Sequence, residues 1–215
     1  MSFLPISVRV EGCRCVVVGS DGETARRVQA LLDAGGAIVV IGAAGEASFE
    51  ALCRRHASIE RRRRGYRAGD LEGATLAFVC GPDAPVEAVR AEATARGVSL
   101  NVADDAASST FIMPAIHRQG AVVVAVSTGG ASPALARRVR DEIAALVGPE
   151  YGSAAEVLAE LRARFARGTE RARAFTRLLE GGLVEALRSR DGSRVERLTA
   201  RAGEDLARGT RTRAD

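Results

Sequence analysis

Short apolar runs alternate with stretches of helical periodicity over the first hundred residues, and the alternation ceases after about Ala103. Arg14-Cys15-Val16-Val17-Val18 reads as a buried strand, Gly22 to Ala34 as a helix closed by Gly35-Gly36, and Ala37 to Ile41 as a second strand. A helix near Ala47–Arg55 follows, then a short strand around Ser58–Arg61, a buried strand from Thr75 to Cys80, and a helix from Ala84 to Arg96 stopped by Gly97. Val98 to Val102 supplies the next strand. Strands that alternate with helices pair in parallel through right-handed crossovers, so residues 1–110 are expected to form an α/β, doubly wound parallel sheet of the Rossmann-like type.

Beyond that point the pattern predicts a small hairpin and helix over 111–150. Phe111 to Ile116 and Ala121 to Ser127 read as two β-runs joined by His117-Arg118-Gln119-Gly120, where the glycine can take positive φ. Ser132 is placed to cap a helix that has Pro133 at its first position and runs to Val147, where Pro149 stops it. Residues 151–215 read as a helical subdomain, with Leu158, Leu161, Phe165, Phe175, Leu178 and Leu179 at helix spacing from Ala154 onward. The arginine-rich tail after Arg208 has the composition of a disordered end.

Charge and cysteine content narrow the function classes. The net charge is +4 and all 31 basic residues are arginine. Arg61-Arg62-Arg63-Arg64 is a basic run without an aromatic platform, which favours solvated or carboxylate-bound guanidiniums over nucleic acid. Arginine's planar fork also suits multiply carboxylated small molecules. Cys13, Cys15, Cys53 and Cys80 show neither CxxC pairing nor a neighbouring histidine, so they are expected to be small core residues, with no fixed metal site and no disulfide framework. No apolar run approaches the roughly 18–20 residues needed to cross a bilayer, and Met1-Ser2-Phe3-Leu4-Pro5 lacks the layout of a signal peptide. The expected compartment is the cytoplasm, with no membrane partner.

Candidate chemistry clusters at the carboxyl ends of the predicted strands, where open α/β sheets bind ligands. Gly19-Ser20-Asp21-Gly22-Glu23, between the first strand and its helix, stands where a dinucleotide's pyrophosphate rests on a helix N-terminus; by itself this loop is equally a plain tight turn. Asp21 puts a carboxylate where the glycine-rich fingerprint has its second glycine. Gly42-Ala43-Ala44, after the second strand, is small and uncharged, leaving its backbone to serve a ribose or adenine, and Cys80-Gly81 lines the other side of the crevice. Asn101-Val102-Ala103-Asp104-Asp105 sets two carboxylates at the mouth, which in isolation read as turn formers or caps.

Phe111-Ile112-Met113-Pro114, followed by Ala125-Val126-Ser127-Thr128-Gly129-Gly130-Ala131-Ser132-Pro133, gives these loops a context. Together with Leu4-Pro5-Ile6 and Asn101-Val102-Ala103-Asp104, this string resembles the precorrin-2 dehydrogenase and sirohydrochlorin ferrochelatase family, the N-terminal module of sirohaem synthases. The resemblance covers essentially the whole chain. It implies NAD-dependent oxidation of precorrin-2, a macrocycle with eight carboxylates, to sirohydrochlorin in sirohaem or cobalamin synthesis, and insertion of Fe2+ or Co2+ as a further activity. It implies Asp104 as general base, with any transient metal substrate near it, and a homodimer in which two chains exchange the C-terminal region.

Asn101, Asp105, His117, Ser127, Thr128, Gly129, Gly130 and Arg137 become candidate substrate contacts, with Arg118 and Arg138 as further partners for the acidic rim. Asp105 could equally shape the turn, and His117 could be an exposed turn residue. Two departures fall in the nucleotide half: the family's Gly-Gly-Gly is Gly19-Ser20-Asp21 here, and its Ala-Ala-Thr is Val79-Cys80-Gly81. A chain without a working nucleotide site would be left as a chelatase or a tetrapyrrole-binding protein.

Overall fold

The computed structural model describes residues 3–43, 45–165 and 168–211, and the chain divides into two compact units, Met1–Met113 and Pro114–Asp215. In the first, β1 (Arg14–Val18), α1 (Gly22–Asp33), β2 (Ala37–Ile41), α2 (Ala47–Arg55), β3 (Glu60–Arg62), β4 (Leu76–Val79), α3 (Val86–Arg96) and β5 (Ser99–Val102) follow in order. The strands form one parallel sheet in the order β3-β2-β1-β4-β5. The order reverses at β1, which creates the crevice at the carboxyl ends of β1 and β4.

Alternation along each strand divides the core between the two faces of the sheet. Cys15 and Val17 join Val28, Leu31, Phe49 and Leu52 beneath α1 and α2, whereas Val16 and Val18 join Val89 and Ala93 beneath α3. Both faces are covered, so β1 from Cys15 onward and all of β4 are apolar rather than alternating. Each fully buried valine contributes on the order of 1.5–3 kcal/mol by leaving water. Cys15 and Cys80 are buried in this core and Cys13 and Cys53 half-buried, all four as free thiols. Burial pushes the Cys15 thiol up to about 11 and Cys80 up to about 12, which keeps both protonated and inert.

The arginine run lies on and after β3 and is consumed by carboxylates. Arg61 donates to both oxygens of Glu50 and to Ala43 O, with its guanidinium over the Phe49 ring. Arg62 and Arg64 converge on Asp70, a residue only 3% exposed, while Arg63 lies 3.9 Å from Glu50 Oε2.

The second unit begins with β6 (Ala115–Gln119) and β7 (Val122–Val126), an antiparallel ribbon, followed by α4 (Pro133–Ala144), α5 (Pro149–Arg164), α6 (Thr169–Glu180), α7 (Leu183–Arg188) and α8 (Gly192–Arg211). The first β-run is therefore displaced by four residues from Phe111–Ile116, and His117, Arg118 and Gln119 belong to a strand rather than to the turn. The reason is local. Thr110 and Phe111 donate backbone hydrogen bonds to Leu100 O, and Phe111 packs edge-on against Phe78, so this apolar segment closes the first core instead of pairing with β7. Pro149 does not merely stop a helix; it opens α5 at the position where its missing N–H costs nothing. α8 continues to Arg211, through residues expected to be disordered; 212–215 lie outside the described residues.

Leu161, Leu178, Leu183 and Ala202 form the core of the helical part. The ribbon's turn meets α5 closely enough that a Cβ on Gly152 would lie 2.9 Å from Gln119 O. Among the described residues no helix is long and apolar enough to cross a membrane.

Candidate functional site

The crevice mouth is built from main chain. Gly19 follows β1 with φ +147°, and a Cβ there would fall 2.5 Å from Thr24 Oγ1 and 2.7 Å from Cys80 O. A Cβ on Gly42 would lie 2.4 Å from Gly19 O. The loops after β1, β2 and β4 thus touch through backbone, and only glycine permits that approach. Cys80 contributes its carbonyl to this wall while its thiol stays in the core. Ala43 stands on the open side of the second loop, and Ala44 lies outside the described residues.

Asp21 turns inward and caps α1. Its Oδ1 accepts hydrogen bonds from the Thr24 amide and hydroxyl, at 2.8 and 2.7 Å, while Asp21 N donates to Thr24 Oγ1 at 3.3 Å. Burial would raise its pKa, but the bonds from Thr24 outweigh it and hold the carboxyl below its ordinary value. Of the helix's first four amides, Thr24 N is taken by Asp21 Oδ1 and Ala25 N by Asp21 O, leaving Gly22 and Glu23 N–H directed at the mouth. The Glu23 side chain is occupied by Arg26 and Arg27. These residues fit a pyrophosphate held by the Gly22 and Glu23 amides and the helix dipole, against a glycine-only wall.

On the far side of β4, the loop after β5 holds the acids. Asp104 is exposed, takes a left-handed φ of +58°, and its carboxylate has no hydrogen-bond or ion-pair partner among the described residues. That conformation is uncommon for a residue with a Cβ and is held by the turn that Asp105 N closes on Val102 O. β5 stands two strands from β1, so Asp104 and the Gly19 loop share one sheet edge about 10 Å apart.

Three candidate contacts have partners within the fold. Asp105 Oδ1 accepts from Ala107 N and Ser108 N, both at 3.0 Å, and so builds the turn. Asn101 is buried, and its Nδ2 donates to Phe111 O at 3.1 Å. In the second unit, His117 Nε2 lies 2.7 Å from Val147 O; a carbonyl only accepts, so this nitrogen carries its proton and the ring is half-buried rather than free in a turn.

The Ser127–Gly130 turn is shaped by its own side chains. Ser127 Oγ accepts from Gly129 N, and Thr128 Oγ1 exchanges bonds with Ser132 N and O. Gly129 and Gly130 have φ of +64° and +90°. Ser132 caps α4 by accepting from Leu135 N. Arg118 and Arg137 are exposed without an ion pair among the described residues, whereas Arg138 is bound to Glu142.

Comparison with known proteins agrees with this geometry. Residues 6–115 match the family model described as "Putative NAD(P)-binding", and residues 120–146 match "Sirohaem biosynthesis protein central". Siroheme synthase of Methylococcus capsulatus is 36% identical over 213 residues, 97% of this chain and 45% of that protein. Siroheme synthase of Chromobacterium violaceum is 34% identical over 216 residues, 96% of this chain and 46% of that protein. The chain thus spans about half the length of these relatives. Among solved structures, SirC, a precorrin-2 dehydrogenase, shares the fold with a TM-score of 0.73 at 18% identity, covering 94% of this chain and all of that one. A glycine-walled crevice on a parallel sheet and a ribbon-and-helix segment that matches the sirohaem central model are joined in one polypeptide: the chain belongs to the family described as "Putative NAD(P)-binding".

Proposed function

We propose that the chain oxidises precorrin-2 to sirohydrochlorin, removing a hydride and a proton. NAD, when bound, accepts the hydride. The observation that carries the reading is Asp104, an exposed carboxylate without a partner among the described residues, held at the same sheet edge as the glycine-walled crevice. It accepts the proton as the macrocycle's C–H bond breaks. Gly22 and Glu23 N–H would hold its pyrophosphate, and the Gly42–Ala43 backbone would serve its adenosine half. Ser127–Gly130, Arg118 and Arg137 offer amides and guanidiniums to the carboxylate rim of the tetrapyrrole.

The same base supports metal insertion. Sirohydrochlorin must lose two pyrrolic protons as Fe2+ or Co2+ enters, and Asp104, exposed to solvent, takes them one at a time and passes each to water, without a nucleotide. In this reading the ion is a substrate, taken up by the macrocycle nitrogens. A homodimer is supported by the outward face of the β6–β7 ribbon, which leaves Ile116 38% and Val123 45% exposed.

The test is turnover. Precorrin-2 and NAD incubated with the protein should yield sirohydrochlorin absorbance and NADH together; no NAD-dependent product would overturn the reading. Sirohydrochlorin with Fe2+ or Co2+ and no nucleotide measures the second activity separately.

A further inference from the structure

The connection after β2 and the first turn of α2 each carry an acid, used in opposite ways. Glu50 is fully engaged: Arg61 donates to both its oxygens and Gly45 N donates to Oε1 at 3.1 Å, which together hold its carboxyl down to about 2. Glu46, at the N-cap position of α2, makes no capping bond with its side chain and no ion pair among the described residues. Its backbone is nonetheless fixed. Glu46 N donates to Ser20 O at 3.0 Å, and Glu46 O accepts from Glu50 N at 3.0 Å. Gly45 is pressed so closely on the first loop that a Cβ there would lie 2.1 Å from Ser20 O. The consequence is that Glu46 reaches across: its Oε2 lies 3.2 Å from where a Cβ on Gly22, the first residue of α1, would stand.

A carboxylate there stands beside the amides assigned to the pyrophosphate. In dinucleotide folds the ribose that joins pyrophosphate to adenine is read by an acid following β2. Here Ile41 is followed by Gly42 and Ala43, and the acid comes instead from the far end of the connection. A ribose diol can donate two hydrogen bonds to a carboxylate. A 2′-phosphate offers the same carboxylate only acceptors and close to two negative charges. The cations nearby are already drawn elsewhere: Arg61 is bound to Glu50 and Ala43 O, and Arg63 leans to Glu50.

We infer that Glu46 is the specificity-determining residue of the dinucleotide site, accepting hydrogen bonds from the adenosine ribose hydroxyls and repelling a 2′-phosphate, so that NAD is taken in preference to NADP. The inference rests on the NAD-dependent reading above.

Calorimetric titration of NAD and NADP into the full chain and into Glu46→Ala and Glu46→Gln tests it without turnover, with thermal melting as the check on folding. The wild type should bind NAD the tighter. Loss of charge-assisted bonds should weaken NAD by about 10- to 100-fold in Glu46→Ala while NADP is unchanged or improved. Glu46→Gln, which keeps an acceptor but no charge, should narrow the preference with a smaller loss of NAD. Wild type that binds NAD with no preference, or variants that weaken both nucleotides equally, would overturn the role of Glu46. Wild type that binds neither nucleotide would overturn the NAD-dependent reading itself, and this inference with it.

Discussion

Thr24 donates two hydrogen bonds to one oxygen of Asp21, from its amide at 2.8 Å and from its hydroxyl at 2.7 Å. The pair turns an acid that looks misplaced in a phosphate loop into the cap of α1. Asp21→Ala should therefore cost about 1 kcal/mol of stability, visible as a lower melting temperature. Asp21→Gly should cost only a few tenths and, by removing a charge beside the pyrophosphate, tighten NAD roughly fivefold. A weaker NAD affinity in Asp21→Gly would show that the carboxylate assists binding.

Asp104 combines an uncommon backbone conformation with a carboxylate that has no partner among the described residues. Asparagine tolerates left-handed φ, so Asp104→Asn should fold with unchanged stability while turnover of precorrin-2 falls by about 10²- to 10⁴-fold. Sirohydrochlorin absorbance and a melting curve on the same preparation separate the two effects. Turnover equal to wild type would reject Asp104 as base.

Asp70 makes an acid-limb prediction. Both oxygens accept from Arg64 at 2.7 Å; Arg67 N and Arg62 add bonds at 2.8 Å, and these hold its pKa well below the ordinary carboxylate range despite burial. A depressed folded-state pKa gives stability that is full above the unfolded value, about 4, and is lost as pH falls below it toward the folded value. Asp70→Asn should lower the melting temperature at neutral pH and flatten its decline below about pH 4. An acid limb identical to wild type would count against this assignment.

Ile116 and Val123 lie on the outward face of the β6–β7 ribbon, with Ala125 and Arg118 opposite them in register. Ile116→Glu combined with Val123→Glu should leave the monomer folded, since neither residue is in its core, while sedimentation shifts from dimer to monomer at micromolar concentration. A wild type that sediments as a monomer would remove the dimer proposal.

The sheet was legible because its signals are local and redundant. Val16-Val17-Val18 is apolar on both faces, and Gly97 ends α3 in the left-handed conformation that glycine favours. The start of β6 was not legible, because Phe111-Ile112-Met113-Pro114 is apolar enough for a strand, and only its bonds to Leu100 and Asn101 and its ring contact with Phe78 reveal that it seals the first core. At the site, the chain position of Asp104 was readable from the strand before it, but its isolation was not. Asn101, Asp105 and His117 look equally chemical in sequence, and only their partners show them engaged in structure. Glu46 was missed because the usual signal is an acid directly after β2, whereas its reach depends on the path of the intervening loop.

The contact between Gly42 and Gly19 O also bears on which parts of this site can change. Two loops that meet without side chains form a fixed frame: any residue larger than glycine at the junction would drive the ends of β1 and β2 apart, whatever its polarity. Ser20 belongs to that junction, its Cβ 3.2 Å from where a Cβ on Gly42 would stand, whereas the Glu46 carboxylate lies at its rim and can vary in charge. Shape is thus inherited from the main chain and ligand preference from the side chains around it, so the nucleotide this crevice accepts can be retuned by single substitutions without rebuilding the sheet beneath.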